Sequence, residues 1–342
     1  MYQQRVKEAI DSIKKGEMII IMDDEDRENE GDLVMAGIFS TPQKINFMAQ
    51  EARGLICVSI TQALATRLDL PPMVSKNDSN HETAFTVSID AKGAKTGISA
   101  YERDMTIRLM CDMNSKPSDF VRPGHIFPLI AKEGGVLVRT GHTEASVDIC
   151  RLAGVAPVSV ICEIMKKDGT MAGRGDRFLL EFAKQEGLKI LYVSDIIQYR
   201  LTYENLVREL SSEDFRLLGR DCKRILFCDH LERHHTVFVF SGPSLATPLV
   251  KFHTIKSDLE LLENGVEFED LMRSLDRLQN EGGYLICLGL DSVASGDMKN
   301  YGVGAQILRL LAIEGFRLLS SSKGEYGALS GFNLKLLEKI DP

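Results

Sequence analysis

The chain of 342 residues has no run of 18 apolar residues, and its opening Met-Tyr-Gln-Gln-Arg leads into an amphipathic pattern without an apolar leader. The first lack argues against a membrane-spanning helix and the second against an export signal, so a cytoplasmic protein is expected. Cysteine is sparse and odd in number: seven residues, at 57, 111, 150, 162, 222, 228 and 287, are scattered mostly through apolar runs. That pattern argues against a disulfide framework and for buried thiols in a reducing compartment. Basic charge is in deficit, 41 Lys and Arg against 49 Asp and Glu, for a net charge of -8. A general nucleic-acid binder is thereby disfavoured, although a few local arginines can still hold a small anion. Internal repeats and low-complexity tracts are also lacking. What is present is 44% apolar and 26% charged residues, a globular composition at a length that favours two domains.

Val6, Ala9, Ile10 and Ile13 recur at helical spacing, with Gly16 placed to close the helix. Apolar runs at 18–22 and 33–39 read as strands flanking an acidic segment, and 54–60, 86–89, 158–165 and 189–193 as further strands. Residues 106–113 and 177–186 read as helices. Residues 136–139 read as a strand running into a turn, with Thr143 as N-cap of a helix that carries Ala145, Ile149 and Leu152 on one face. The mixture predicts an α/β or α+β domain over 1–200. Residues 201–220 read as polar and helical, with a connector at 201–208 and a second α/β domain over 209–342. In that domain 224–228, 237–240, 284–290 and 317–320 read as strands, and 268–280 and 304–315 as helices.

Residues 23–32 are Asp-Asp-Glu-Asp-Arg-Glu-Asn-Glu-Gly-Asp, seven of ten acidic with Arg27 the one base. A solvated charge run is the plain reading. Yet the segment is confined between two strands, and carboxylates packed that closely repel unless a cation or protons sit among them. A calcium EF-hand fails: counted from Asp26, Gly31 takes position 6, but position 12 is Gly37 and not Glu. A hard divalent cation on one or two carboxylates remains, with acid–base work for the others.

Arg139-Thr140-Gly141-His142-Thr143 leads into a helix. Helix-start N–H groups, hydroxyls and a guanidinium suit a phosphate; an ordinary turn is the alternative, and the ending of a Walker loop is missing. His142 adds a metal ligand if the acidic loop lies nearby. His125 follows Arg-Pro-Gly in what reads as a turn, where a histidine without a role is the plain reading. Glu163 stands in an apolar strand and needs a partner or a raised pKa.

Together these stretches resemble the 3,4-dihydroxy-2-butanone 4-phosphate synthases. The resemblance also rests on Thr-Gly-Ile-Ser-Ala at 96–100, Arg-Pro-Gly-His at 122–125, Cys-Glu at 162–163 and Asp-Gly-Thr-Met-Ala at 168–172, and it spans residues 1 to about 200 in order. It implies a three-layer domain with a mixed sheet. It implies a lyase of riboflavin biosynthesis that turns D-ribulose 5-phosphate into 3,4-dihydroxy-2-butanone 4-phosphate and formate with Mg²⁺ or Mn²⁺, in one or two ions per site. By the family pattern Glu28 and His142 hold the metal. Arg27, Asp32, Arg139, Thr140, Gly141, Thr143 and Glu163 contact substrate, and His125 and Glu163 are the essential catalytic pair. The family site is completed across a homodimer interface, with no nucleic-acid or membrane partner. The reaction enolises a ketose, loses water, shifts a carbon and expels formate, so several proton transfers are needed, and Glu30 is a candidate for one. Cys57 either lines the site or is a packed strand thiol.

From about residue 208 the chain resembles GTP cyclohydrolase II more weakly, through Tyr-Gly-Val-Gly-Ala-Gln-Ile-Leu-Arg from Tyr301, Arg-Leu-Leu from Arg317 and Gly-Phe-Asn-Leu from Gly331. That family needs a three-cysteine zinc site, yet no cysteine lies between Cys228 and Cys287, and the stretch corresponding to the first zinc ligand is His-Thr-Ile-Lys-Ser-Asp from His253. The family's Asp and nucleophilic Arg fall near Asp297 and Lys299, and a lysine does not reproduce a planar guanidinium. The set Cys222, Cys228, His230 and His234 fits no structural zinc spacing. The expectation is a degenerate domain without zinc or cyclohydrolase activity, kept as a scaffold, dimerisation surface or binding module. A bifunctional enzyme is the alternative.

Overall fold

The structure, a computed structural model, describes residues 2–25, 27–80, 83–243, 247–289, 297–321 and 334–342, with the backbone alone at 297–301. The chain separates into two compact units, Met1–Tyr199 and Arg200–Pro342.

In the first unit, Ile-Ile-Ile-Met at 19–22 is buried on both faces, as a strand covered by helices on both sides must be. The elements are α1 (Tyr2–Lys14), β1 (Ile19–Met22), β2 (Gly31–Ala36), α2 (Pro42–Phe47), β3 (Cys57–Ile60), α3 (Gln62–Arg67) and β4 (Ile89–Ala91). They continue with α4 (Ala100–Cys111), β5 (Phe120–Ile130), α5 (His142–Leu152), β6 (Ser159–Glu163), α6 (Arg177–Glu186), β7 (Lys189–Tyr192) and α7 (Val193–Tyr203). The seven strands form one mixed sheet in the order β4-β5-β3-β6-β2-β1-β7. Ile20, Met22, Leu33, Met35, Val58 and Val160 project to one face and pack with Ile45, Ile107, Met110, Leu179 and Phe182 from α2, α4 and α6. The alternate residues project to the other face, where α5 lies on β1, β2, β3 and β6 and α1 packs beside it. The result is three layers. Each fully buried isoleucine of this sheet contributes roughly 1.5–3 kcal/mol.

The second unit carries β8 (Val207–Leu217), β9 (Arg220–Asp229), β10 (His234–Phe240), β11 (Leu249–Thr254), α8 (Asp258–Glu263), α9 (Gly265–Glu281), β12 (Gly283–Leu288), α10 (Asp297–Leu310), β13 (Gly315–Leu319) and β14 (Lys335–Ile340). Its sheet runs β14-β13-β11-β12-β10-β9-β8, parallel from β14 through β12 and antiparallel from β12 to β8. Leu275 and Leu278 of α9 pack on Phe240, Leu249, Leu285 and Leu319. Both units are mixed α/β, as expected from the alternation of strand and helix patterns.

Four local readings need correction. Residues 136–139 are not a strand: positive φ at Gly134 and Gly135 breaks the extended chain, and Gly135–Leu137 is a short 3₁₀ turn whose Val136 N–H is held by Asp148 at 2.9 Å. Thr143 is not the N-cap; α5 starts at His142 behind Gly141. Residues 122–125 lie within strand β5, not in a turn. Residues 201–220 are not a helical connector. α7 ends at Tyr203, and β8 forms a hairpin with β9 through Leu218 and Gly219, both at positive φ, as a tight hairpin turn requires. β8 is an edge strand exposed along most of its length, so its polar residues never show the alternation that marks a strand.

Candidate active site

The acidic segment joins β1 to β2, and its first carboxylate folds it. Asp23 is fully buried at the end of β1. Its Oδ1 accepts the Glu30 N–H at 2.9 Å, and its Oδ2 accepts the Glu28 N–H at 3.1 Å and the Arg27 guanidinium at 2.8 Å. Arg27 also donates to Glu28 Oε2 at 2.7 Å. With the backbone tied from inside, the side chains of Glu28, Glu30 and Asp32 line a cleft of about 400 Å³. Asp26 lies outside the described residues.

The sheet supplies the cleft wall. Asp32 sits opposite Glu163 in the β2–β6 register, and Cys57 opposite Ile161 in the β3–β6 register, so all four share one face. α5 packs on that same face, and its first residue, His142, meets the acidic loop. The His142 Nδ1 lies 3.7 Å from Glu28 Oε2, and its Nε2 lies 3.8 Å from Asp32 Oδ1 and 3.1 Å from the Glu30 carbonyl.

This crowding sets the charges. Burial pushes the Glu28 carboxyl up, but the His142 imidazole and the Arg27 guanidinium outweigh it and hold the pKa at about 2. Burial pulls His142 down, and the charges of Asp32, Glu28 and Asp23 more than reverse it, to about 9. Asp32 is raised to about 7 by burial, with His142 opposing and Glu163, Glu30 and Glu28 reinforcing. Glu30 is raised by burial and by the charges of Glu28 and Glu163. Burial pushes the Cys57 thiol well up, so it stays protonated in the wall of the cleft.

Glu163 has the partner its strand position demanded: Oε2 accepts the Leu55 N–H at 2.8 Å. Arg139 is held by Glu144 Oε2 at 2.6 Å and Thr83 Oγ1 at 3.2 Å, and lines the cleft with Thr143. Thr140 and Gly141 form the turn into α5. Thus Arg27, Glu28, Glu30, Asp32, Arg139, His142, Thr143 and Glu163 come together. His125 does not join them. It projects from β5 with its side chain 44% exposed, its Nδ1 2.8 Å from Asp90 Oδ2.

The sequence reading passed over Asp23, Thr83 and Glu144. Asp23 follows directly on a buried strand, a position where a carboxylate must find donors, and that signal was readable. Glu144 and Thr83 both bond Arg139, five residues before one and 56 after the other, and no spacing marks them.

The donor set fits a hard cation. Ligand atoms of Asp23, Glu28 and His142 lie within 4.8 Å of one another. Both oxygens of Asp23 already accept hydrogen bonds from the loop, so Glu28 and His142 are the members of this set that could more readily turn toward an ion. Asp32 Oδ1, buried beside them, has no hydrogen-bond partner among the described residues. The carboxylate oxygens of the set suit Mg²⁺ and Mn²⁺ alike.

A family model described as 3,4-dihydroxy-2-butanone 4-phosphate synthase matches residues 7–199. The chain belongs to this family. A synthase of the same description from Helicobacter hepaticus is 71% identical over the whole of both chains, and one from Helicobacter pylori is 60% identical over 99% of each. A crystal structure of RibBX, a two-domain synthase from A. baumannii, matches at TM-score 0.85 and 40% identity over 99% of this chain and 100% of that one. A synthase crystallised in complex with two magnesium ions matches at TM-score 0.54 and 40% identity, over 58% of this chain and 97% of that one. The chain is therefore an enzyme of riboflavin biosynthesis with synthase function. A GTP cyclohydrolase II model matches residues 289–341. Much of that stretch, including the side chains of Asp297, Lys299 and Tyr301 and residues 331–333, lies outside the described residues.

Proposed function

We propose that the chain converts D-ribulose 5-phosphate to 3,4-dihydroxy-2-butanone 4-phosphate and formate, as a cytoplasmic homodimer with Mg²⁺ or Mn²⁺, in one or two ions, on Glu28 and His142. The observation that carries this reading is the convergence of four carboxylates and His142 on one cleft that also holds Arg139 and Thr143. A bound divalent cation supplies positive charge for the oxygens of the enolised ketose.

The protein's own groups account for the rest. Asp32, with a pKa near 7, takes up and returns a proton close to neutral pH, and Glu30 is raised in the same direction. Glu163 keeps one oxygen on the Leu55 N–H and has the other for the substrate. Arg139, Thr143 and the N–H groups of the first turn of α5, entered through Thr140 and Gly141, form a cradle for the phosphate. Arg27 neutralises part of the loop and contacts substrate with Asp32. The acid–base histidine is the partner subunit's His125: in its own chain this residue stands half-exposed and away from the cleft. Exposed Tyr101 and Met105 on α4 support a partner surface on this unit. The free thiols fit a reducing compartment, and no described helix is long and apolar enough to cross a membrane.

The second unit has no cyclohydrolase activity in this reading, and serves as a scaffold or binding module. Its sequence from 229 to 286 contains no cysteine to hold zinc, and Lys299 replaces the nucleophilic arginine. The test is to supply the full chain with D-ribulose 5-phosphate and with GTP in turn. Formate from the first, stopping with a chelator, and no formate or pyrophosphate from the second are expected. Full turnover in excess chelator would overturn the metal assignment, and GTP hydrolysis lost on deleting 208–342 would restore the bifunctional alternative.

A further inference from the structure

We infer that Asp90 is the positioning residue that fixes the His125 imidazole with its proton on Nδ1, and that the 95–99 loop, gathered by Glu102, is the shelf on which the pair rests. The inference rests on the reading of His125 as an acid–base residue and explains how a half-exposed histidine is held ready for that task.

Asp90 grips His125 twice. Its Oδ1 accepts the His125 backbone N–H at 2.8 Å, and its Oδ2 lies 2.8 Å from the His125 Nδ1. A carboxylate can only accept, so Nδ1 carries the hydrogen and Nε2 is left as the basic nitrogen. Asp90 is itself 6% exposed. The pairing of β4 with β5 is irregular between Ile89 and Asp90, and such a shift re-aims a side chain.

The shelf explains the Thr-Gly-Ile-Ser-Ala stretch at 96–100, to which neither composition nor the cleft assigns a task. Glu102 Oε1 accepts the N–H groups of Lys95 at 2.7 Å and Thr96 at 3.2 Å. Its Oε2 accepts the Thr96 hydroxyl at 3.0 Å, the Gly97 N–H at 3.2 Å and the Ser99 hydroxyl at 2.9 Å. Ser99 Oγ in return accepts the Glu102 N–H at 3.2 Å, a reciprocal cap that starts α4. These bonds hold Gly97 flat against the pair. Gly97 has φ +81°, and a Cβ there would lie 1.9 Å from Asp90 Oδ2 and 2.7 Å from His125 Nδ1. Any side chain at 97 therefore displaces the carboxylate from the imidazole.

Asp90→Asn gives the sharpest test, because it preserves shape and inverts polarity. The amide oxygen can still accept the His125 N–H. The amide NH₂ then faces Nδ1, which must become an acceptor, and the ring proton moves to Nε2. In the full-length enzyme with Mg²⁺ and D-ribulose 5-phosphate, kcat for formate release should fall about 100-fold, the range of one acid–base group, with KM within about threefold. The ¹⁵N shifts of the His125 imidazole should report Nδ1–H in the wild type and Nε2–H in D90N. His125→Gln serves as the reference for complete loss of the group. Gly97→Ala and Glu102→Gln should lower kcat in the same direction, and they carry the test if D90N does not fold. Wild-type kcat in D90N beside an inactive H125Q, or a ring proton that stays on Nδ1, would overturn the inference. Wild-type kcat in H125Q would instead overturn the catalytic reading of His125, and the imidazole shifts in D90N would still decide what Asp90 does.

Discussion

The two units bury charge in opposite ways. In the second, each of the two principal buried carboxylates has a cation of its own. Lys251 of β11 meets Asp270 of α9, and Asp229 takes Arg233 at 2.6 Å. In the cleft of the first, Asp23, Glu28, Glu30, Asp32 and Glu163 share Arg27 and His142, because Arg139 is engaged by Glu144. Balanced pairs hold elements together. A negative surplus costs stability, and it persists where a cation, a substrate or a moving proton completes it.

The largest expected effect breaks the surplus at its centre. Glu28→Gln and His142→Ala should each abolish formate release while circular dichroism shows the fold intact. The double variant should be no worse than either single one, since two ligands of one ion act as a unit. A near-wild-type rate in either single variant would separate the cleft's charge from its chemistry. The second effect is read in the balanced unit. Asp270→Ala strands the Lys251 charge and should destabilise that unit in urea by about 3–5 kcal/mol, whereas Lys251→Met with Asp270→Leu should cost little. Formate release should persist in the double variant. Equal losses in the single and double variants would show that the pair is not the fastening it resembles.

The sequence carried much of this contrast and missed parts of it for identifiable reasons. The buried strands at 19–22 and 159–163 announce themselves as apolar runs, and the acidic loop between β1 and β2 is too dense to be a plain surface loop. α6 was readable to the residue because Asp176 and Gly187 cap it at both ends. β8 was not, because an edge strand with water on most of its length needs no apolar side. In the site, chemistry-bearing residue types in short segments were legible, from Arg27 to Asp32 and from Arg139 to Thr143. Contacts made across the sheet were not. Nothing local links Thr83 to Arg139 or Asp90 to His125, since the fold alone makes them neighbours. Asp90 escaped the signal that singled out Glu163, because the apolar run reads as a strand over 86–89 while β4 spans Ile89–Ala91 and takes Asp90 inside it.

The smallest effect is the pH dependence of stability, and it sharpens the contrast because it reads the surplus directly. The Glu28 carboxyl falls from 4.5 to about 2 on folding, against burial, through His142 and Arg27. Its contribution is therefore complete above pH 4.5. As pH falls, the unfolded chain takes up its proton first, and the contribution is gone below about pH 2. His142 runs the other way: raised from 6.5 to about 9, it contributes fully below pH 6.5 and loses that contribution as pH rises through 9. Asp32 opposes both, since its rise from 3.8 to about 7 makes its ionisation a growing cost over that interval. Subtracting a Glu28 variant from the wild type removes the Glu28 slope together with the part of the His142 rise that Glu28 causes. With a chelator present, the Tm difference between wild type and Glu28→Gln should be largest between pH 4.5 and 6.5, a few degrees for a unit of this size, and should shrink steadily toward pH 3. Gln keeps the shape of Glu and lacks only its charge, so the slope belongs to the carboxylate. A difference that stays constant from pH 6 to pH 3 would mean that Glu28 feels no net attraction in the folded chain. The cleft would then be as balanced as the pairs of the second unit.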